Sequence, residues 1–268
     1  YTNSEGYLIT PEVLPYGEYS LVEVQAPYGY ALDKTPVAFS VSLENAEKEN
    51  SLTIVKVEKQ NTAQKGRISV QKTGDIFTSV NMASSAYTDE NGELVVNSTT
   101  YTPVFADGDL SGAVFQVIAV EDIVTLDGTT RAYAGDVVSE ITTDENGYAE
   151  TEPLYLGKYE VREIKAPDGY VLNNEPKDVE VTYAGQEFEV RDTVNTAFEN
   201  EYQGVRISLS KVMENDELFG IYGKDYYTSV RFGLFAAEDI TAADGSVIPA
   251  DGLLSEVSLD ENMTAKFD

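Results

Sequence analysis

The chain has 268 residues, with 47 acidic against 18 basic side chains, a net charge of −29, and no histidine, cysteine or tryptophan. That balance repels nucleic acid and anionic lipid, while the missing residue types exclude Ser-His-Asp and Cys-His catalysis, histidine metal sites and disulfides. No run of ~18 apolar residues is present, so no membrane-spanning helix is expected.

The first recognisable element occupies residues 7–32, where Leu14, Gly17, Tyr19, Leu21 and Glu23 precede Ala26, Pro27, Gly29 and Tyr30. Tyr19, Leu21 and Glu23 share one face of a two-residue period, so an apolar strand face continues into a glutamate aimed inward. Asn61 and Gly66 follow, and then Ile68, Val70 and Lys72 alternate with other residues. Lys72 therefore shares the face of Ile68 and Val70. A lysine aimed at a core is costly unless a core group answers it. Asn61 has Val57 and Lys59 as same-face neighbours, and Lys59 departs from an apolar strand.

Residues 75–109, rich in Ser, Thr and Asn, form an insert: Lys72 and Phe115 are 22 residues further apart than Lys211 and Phe232. It reads equally as an extra hairpin or a binding loop. Strands are predicted over 67–72, 113–119, 137–142, 158–164, 177–183, 188–192 and 196–200. Asp127-Gly128, Asp144-Glu145-Asn146-Gly147 and Ala166-Pro167-Asp168-Gly169 are turn signals between them. The Asp144 cluster and Asp89-Glu90-Asn91-Gly92 offer oxygen ligands but lack EF-hand spacing, so both read as hairpin turns, and no metal or cofactor is expected.

Residues 148–172 repeat the opening segment with Leu156, Gly157, Tyr159, Val161, Glu163, Ala166, Pro167, Gly169 and Tyr170, again placing the glutamate on the apolar face. Phe198 and Asn200 share parity, so the asparagine also faces in. Asn200 precedes Lys211 by 11 positions, as Asn61 precedes Lys72, with Ile207 and Leu209 in the same alternation. Three strands thus each aim one polar group at the same core: Lys72, Glu163 and Asn200. Further on, Phe232, Ala236, Glu238, Asp239, Asp244 and Gly245 echo Phe115, Ala119, Glu121, Asp122, Asp127 and Gly128. One short helical turn is expected at 241–244.

This periodicity divides the chain. Residues 62–203 make one complete unit carrying the insert. Residues 1–61 read as the C-terminal part of an earlier unit with Glu23 and Asn61, and 204–268 as the N-terminal part of a third, opened by Lys211. Short strands with turns at this spacing predict an all-β chain of tandem antiparallel β-sandwiches.

These residues resemble the collagen-adhesin B-type (CnaB, or SpaA-type) prealbumin-like domains of Gram-positive surface proteins and pilins. The first-strand lysine of Ile68-Ser69-Val70-Gln71-Lys72 carries the resemblance, with Leu156-Gly157-Lys158-Tyr159-Glu160-Val161-Arg162-Glu163, the Ala166-Pro167-Asp168-Gly169-Tyr170 turn and the terminal Phe198-Glu199-Asn200. It implies an immunoglobulin-like, prealbumin-like sandwich and a spontaneous isopeptide bond between Lys72 and Asn200, with Glu163 as proton shuttle. The resemblance gives Glu23 the same role in the first unit and makes Asn61 and Lys211 unpaired cross-link candidates. The first expects a lysine from before residue 1 or from another chain, and the second expects partners after residue 268. An amine is a nucleophile only when neutral, and desolvation favours that form. The residues alone also fit a buried Lys72–Glu163 ion pair with Asn200 as a satisfied bystander, or a lysine reaching back to solvent.

The resulting functional expectation is an extracellular stalk or pilin-like segment of a surface adhesin, on a Gram-positive wall or pilus. Its partners are neighbouring domains or subunits of the same surface protein, and its bond forms once per molecule, without enzyme turnover. The alternative is a module that binds host matrix or glycan through residues 75–109. A hydrolase with paired carboxylates is a third class, which no motif supports.

Overall fold

The computed structural model describes residues 2–3, 5–10, 13–42, 47–49, 52–88, 90–212 and 230–267. Asp89, the first residue of one turn signal, lies outside them. All regular structure in the described residues is strand.

The first region holds two antiparallel pairs, β1 (Gly17–Leu21) with β2 (Val37–Val41), and β3 (Glu47–Glu49) with β4 (Leu52–Ile54). The middle region holds β5 (Lys65–Gly66), β6 (Ile68–Thr88), β7 (Leu94–Asp109), β8 (Val114–Ala119), β9 (Ile123–Val124), β10 (Thr130–Ala132), β11 (Val137–Thr142) and β12 (Tyr148–Glu150). It continues with β13 (Leu154–Tyr155), β14 (Gly157–Lys165), β15 (Lys177–Val181) and β16 (Val194–Asn200). The last region holds β17 (Ile207–Ser210), β18 (Arg231–Phe235), β19 (Ile240–Thr241), β20 (Val247–Ile248), β21 (Leu253–Ser258) and β22 (Thr264–Phe267).

In the middle region one sheet runs β11-β8-β14-β15, and a second is built on β6 with β12 and β16 beside it. Their inward residues meet in one core. Ile68, Val70 and Phe198 come from the second sheet, and Phe115, Val117, Tyr159, Val161, Val179 and Val181 from the first. Alternation makes this possible: β8 is Val-Phe-Gln-Val-Ile-Ala, and every second residue is buried. Each fully buried Val or Phe contributes about 1.5–3 kcal/mol.

Five expectations are corrected or resolved. β16 lies parallel to β6, from Val194↔Ile68 to Asn200↔Gly74, in a sandwich expected to be antiparallel throughout. The whole sandwich separates these two strands in sequence, so no tight turn forces opposite directions. The strand predicted over 188–192 reduces to a single bridge, Val190 to Lys65; Phe188 and Val190 are exposed, so alternation there has no core to serve. The expected helical turn at 241–244 is a hairpin turn between β19 and β20, closed by Ala242 N–H donating to Ser246 O (2.8 Å). The insert is a hairpin: β6 continues far past the core and pairs with β7 from Thr73↔Asp109 to Thr88↔Leu94. In the first region Leu21 is 41% exposed and Glu23 only half-buried, because β1 and β2 form a two-stranded sheet.

Candidate functional site

β6 carries Ile68, Val70 and Lys72 inward, each at 0% exposure, and β14 and β16 bring Glu163 (2%) and Asn200 (3%) to the same place. The parallel register sets Phe198 opposite Lys72 and Asn200 opposite Gly74, so the asparagine reaches just beyond the lysine's Cα. Two glycines allow the close approach. A Cβ on Gly74 would strike the Asn200 carbonyl oxygen and the Leu110 side chain. Gly147, at φ +66°, comes so near the Lys72 carbonyl that a Cβ would collide with it. The Lys72 backbone is then held on both sides, its N–H donating to Gly147 O (2.7 Å) and its carbonyl accepting from Leu110 N (3.0 Å).

Lys72 Nζ donates to Asn200 Oδ1 at 2.5 Å, and Asn200 Nδ2 donates to Glu163 Oε1 at 3.0 Å. The same Oε1 lies 3.8 Å from Nζ, with both ionisable side chains wholly buried. Glu163 Oε2 accepts from Asn173 N at 2.8 Å, which fixes the carboxyl plane so that Oε1 faces amine and carboxamide together. Among the described residues no buried side-chain nitrogen or oxygen lacks a partner.

Burial pulls Lys72 down from 10.5 to about 8, while the charges of Glu163 and Glu199 oppose the shift. A base with that value is neutral in roughly one molecule in ten at pH 7. An ammonium buried without its partners costs several kcal/mol. The walls are aromatic: the Phe115 and Phe198 rings sit 4.8 Å apart. Lys177 Nζ lies 4.9 Å from the centre of Phe198 and donates to Ala197 O, tying β15 to β16. An amine of lowered basicity, a carboxamide and a carboxyl group thus meet in a water-poor core, a donor set suited to acyl transfer from nitrogen to nitrogen.

The first region brings together Glu23 and Asn61. Asn61 Nδ2 donates to Glu23 Oε2 (2.7 Å) and to Ala31 O (3.0 Å), and Asp33 N donates to the same Oε2 (3.0 Å). Lys59 is turned away, to Asp33 Oδ2 (3.0 Å) and Thr35 O (2.5 Å). Lys211 is half-buried just past β17, its N–H donating to Met263 O at 2.9 Å. Among the described residues no hydrogen bond or ion pair joins its side chain to either glutamate–asparagine set.

Sequence reasoning passed over Asn173 and Gly74. Asn173 follows Glu163 by the interval at which Asp33 follows Glu23, and each Oδ1 accepts the N–H two residues on, from Glu175 (3.0 Å) and Thr35 (2.9 Å). An Asn or Asp at one place in both copies was the available signal. Gly74 had none, since its close contacts come from strands distant in sequence. Among the described residues no group of three acidic side chains is placed to hold a metal ion.

A family model described as the SpaA prealbumin-like fold domain matches residues 1–56 and 104–196. The trypsin-resistant surface T6 protein of Streptococcus pyogenes serotype M6 is 27% identical over 147 residues, 55% of this chain and 23% of that protein. Among solved structures, the Bacillus anthracis TIE protein is 22% identical with a TM-score of 0.47, covering 95% of this chain and 34% of its own. GBS52, the minor pilin of Streptococcus agalactiae, is 19% identical with a TM-score of 0.31, covering 75% of this chain and 65% of its own. The chain therefore spans less than two thirds of each of these relatives.

Proposed function

The chain belongs to the SpaA prealbumin-like fold domain family, and from that premise we propose that it is a load-bearing segment of a Gram-positive cell-surface or pilus protein. Its units are 1–61, 62–203 and 204–268, and the middle one is closed by a covalent Lys72–Asn200 amide. The observation that carries this reading is the fully buried contact of Lys72 Nζ, Asn200 Oδ1 and Glu163 Oε1. A relative that is a surface protein supports the extracellular, structural role, and its partners are neighbouring domains and subunits of the same assembly.

The chemistry balances without a cofactor. The lone pair of neutral Lys72 Nζ attacks the carbonyl carbon of the Asn200 side chain, and a proton passes from Nζ by way of Glu163 to Nδ2. The C–Nδ2 bond then breaks and ammonia leaves. Folding supplies the proximity, worth about 7–11 kcal/mol of barrier in favourable cases. The bond forms once, so the chain is not a turnover enzyme. A covalent staple of this kind also suits a β-protein with no cysteine.

Intact mass of the full chain tests this. The parent should weigh about 17 Da less than its sequence mass, one ammonia, and Glu163→Ala should weigh its full sequence mass. Digestion should yield one branched peptide joining Lys72 to Asn200. An unshifted parent would leave a buried polar cluster and no cross-link.

A further inference from the structure

We propose that the β6–β7 hairpin is a splint that fixes the third unit against the middle one, a role that rests on the division of the chain at residue 204. The hairpin leaves the sandwich beyond Asp75, and residues of the third unit bond to both of its strands. On β6, Ala243 N–H donates to Phe77 O (3.0 Å), Asp244 N–H to Thr78 O (3.1 Å), and Val80 N–H to Ser246 Oγ (2.9 Å). The ladder between β6 and β7 shifts register between Phe77 and Ser79, a bulge that opens this stretch of backbone to the 242–246 turn.

On β7, Thr100 pairs in parallel with Leu253 of β21. The Tyr101 ring lies against Gly252 so closely that a Cβ there would stand 3.1 Å from the ring edge. One sheet therefore runs β12-β6-β7-β21-β18 across both units.

The root of the hairpin is clamped as well. Tyr170 OH donates to Asp75 O (2.7 Å). Ring centres then step from Tyr170 to Tyr202 (5.3 Å), to Phe105 (5.1 Å) and to Phe77 (5.7 Å). Tyr202 is next to last in the middle unit, so this chain of rings ties the end of that unit to both hairpin strands. Linked domains swing relative to one another by default unless a substantial interface holds them. The aromatic contacts fix the root of the hairpin to the middle unit, while the bonds near the β6 bulge and the Thr100–Leu253 pairing are two separate attachments to the third, and two points remove the pivot that one would leave. The segment of the insert nearest the third unit is thereby occupied by the protein's own chain.

The natural absence of cysteine makes the test direct: Glu145→Cys and Glu238→Cys, both exposed, give one spin-label position in each unit of the full chain. Double electron–electron resonance should show one narrow distance distribution. Joining Phe77 to Phe105 through an Asn-Gly turn should widen it roughly twofold or more, as expected for two domains freed to swing. Tyr202→Ala combined with Ser246→Ala keeps the hairpin's length, should widen the distribution to a smaller degree, and decides the matter if the shortened chain does not fold. A parent distribution already as wide as the variants', or widths unchanged in the folded variants, overturns the splint. Intact mass on the same samples reports the Lys72–Asn200 bond separately, so failure of either reading is seen without the other.

Discussion

The two glutamate–asparagine contacts of this chain share their local design and differ in their surroundings. Around Glu23 and Asn61, Ala31 N–H donates to Thr62 O (2.9 Å) and Gln64 N–H to Gly29 O (2.8 Å); around Glu163 and Asn200, Val171 N–H donates to Glu201 O (3.0 Å) and Gln203 N–H to Gly169 O (2.8 Å). Tyr19 OH reaches Pro15 O as Tyr159 OH reaches Tyr155 O. The strand-turn repeat alone therefore suffices to bring carboxyl to carboxamide. What it does not supply is dryness or an amine. Those come from the parallel pairing of β16 with β6 and from the opposing sheet, which bury Glu163 and Asn200 and deliver Lys72.

The sharpest way to break this comparison is to remove one member from each site. A cross-link between Lys72 and Asn200 closes 128 residues of sequence separation. By the relation used for disulfides, closure of such a loop restrains the unfolded chain by on the order of 5 kcal/mol. Lys72→Ala and Asn200→Ala should each lose about that much or more, since each also removes the buried contact between Lys72 Nζ and Asn200 Oδ1. Asn61→Ala should lose roughly 1 kcal/mol, the worth of a half-exposed hydrogen bond. Guanidinium unfolding of the middle unit, set beside that of the first, reads both; equal losses would mean that no covalent closure distinguishes them.

Glu163→Gln and Glu23→Gln separate proton transfer from hydrogen bonding, because the amide retains an acceptor but does not shuttle protons. Glu163→Gln should slow the loss of about 17 Da by roughly 100-fold or more, the usual scale for removing a positioned acid–base group. Glu23→Gln should leave that rate unchanged. Mass against time on chain refolded from denaturant measures both. A rate insensitive to Glu163 would assign the proton transfer to solvent.

Much of this was legible in the sequence, and the boundary is physical. Parity along a strand is a local property, so the inward aim of Lys72 and Glu163 followed from their apolar neighbours at i−2 and i−4, and that of Asn200 from Phe198 at i−2. The same reasoning failed for 188–192, where alternation is present but Phe188 and Val190 face solvent. Pairing direction is not local, and nothing near residues 194–200 signalled a parallel partner. The hairpin was ambiguous for a related reason. Polar, Ser- and Thr-rich strands lack an apolar stripe, and their order comes from pairing with each other and, through Ala243 and Leu253, with residues far downstream.

A smaller effect should appear with pH. Lys72 in the folded chain lies at about 8, below its ordinary 10.5, so between those values the unfolded chain binds more protons. Before any bond forms, stability should therefore rise with pH through that window and be least below pH 8. The neutral amine falls about tenfold per unit below pH 8, and the rate of ammonia loss should fall with it. Refolding at pH 6, 7, 8 and 9 with timed mass measurement gives the profile. A rate flat across that range would show that deprotonation of Lys72 does not limit the reaction.

The finest comparison uses the tyrosines beside the two sites. Tyr159 is 2% exposed and donates to Tyr155 O at 2.6 Å, while half-buried Tyr19 donates to Pro15 O at 2.8 Å. The same bond is made in both copies, so Tyr→Phe removes the same hydroxyl from two environments. Water can replace the lost donor beside Tyr19 more easily than beside Tyr159. Tyr159→Phe should then cost about 1.5 kcal/mol and Tyr19→Phe about 0.5 kcal/mol. Comparable losses would remove desolvation as the difference between the two regions and leave the lysine alone to account for it. A clear excess at Tyr159 would show that the sheets pairing around Glu163 exclude water where the two-stranded sheet beside Glu23 does not.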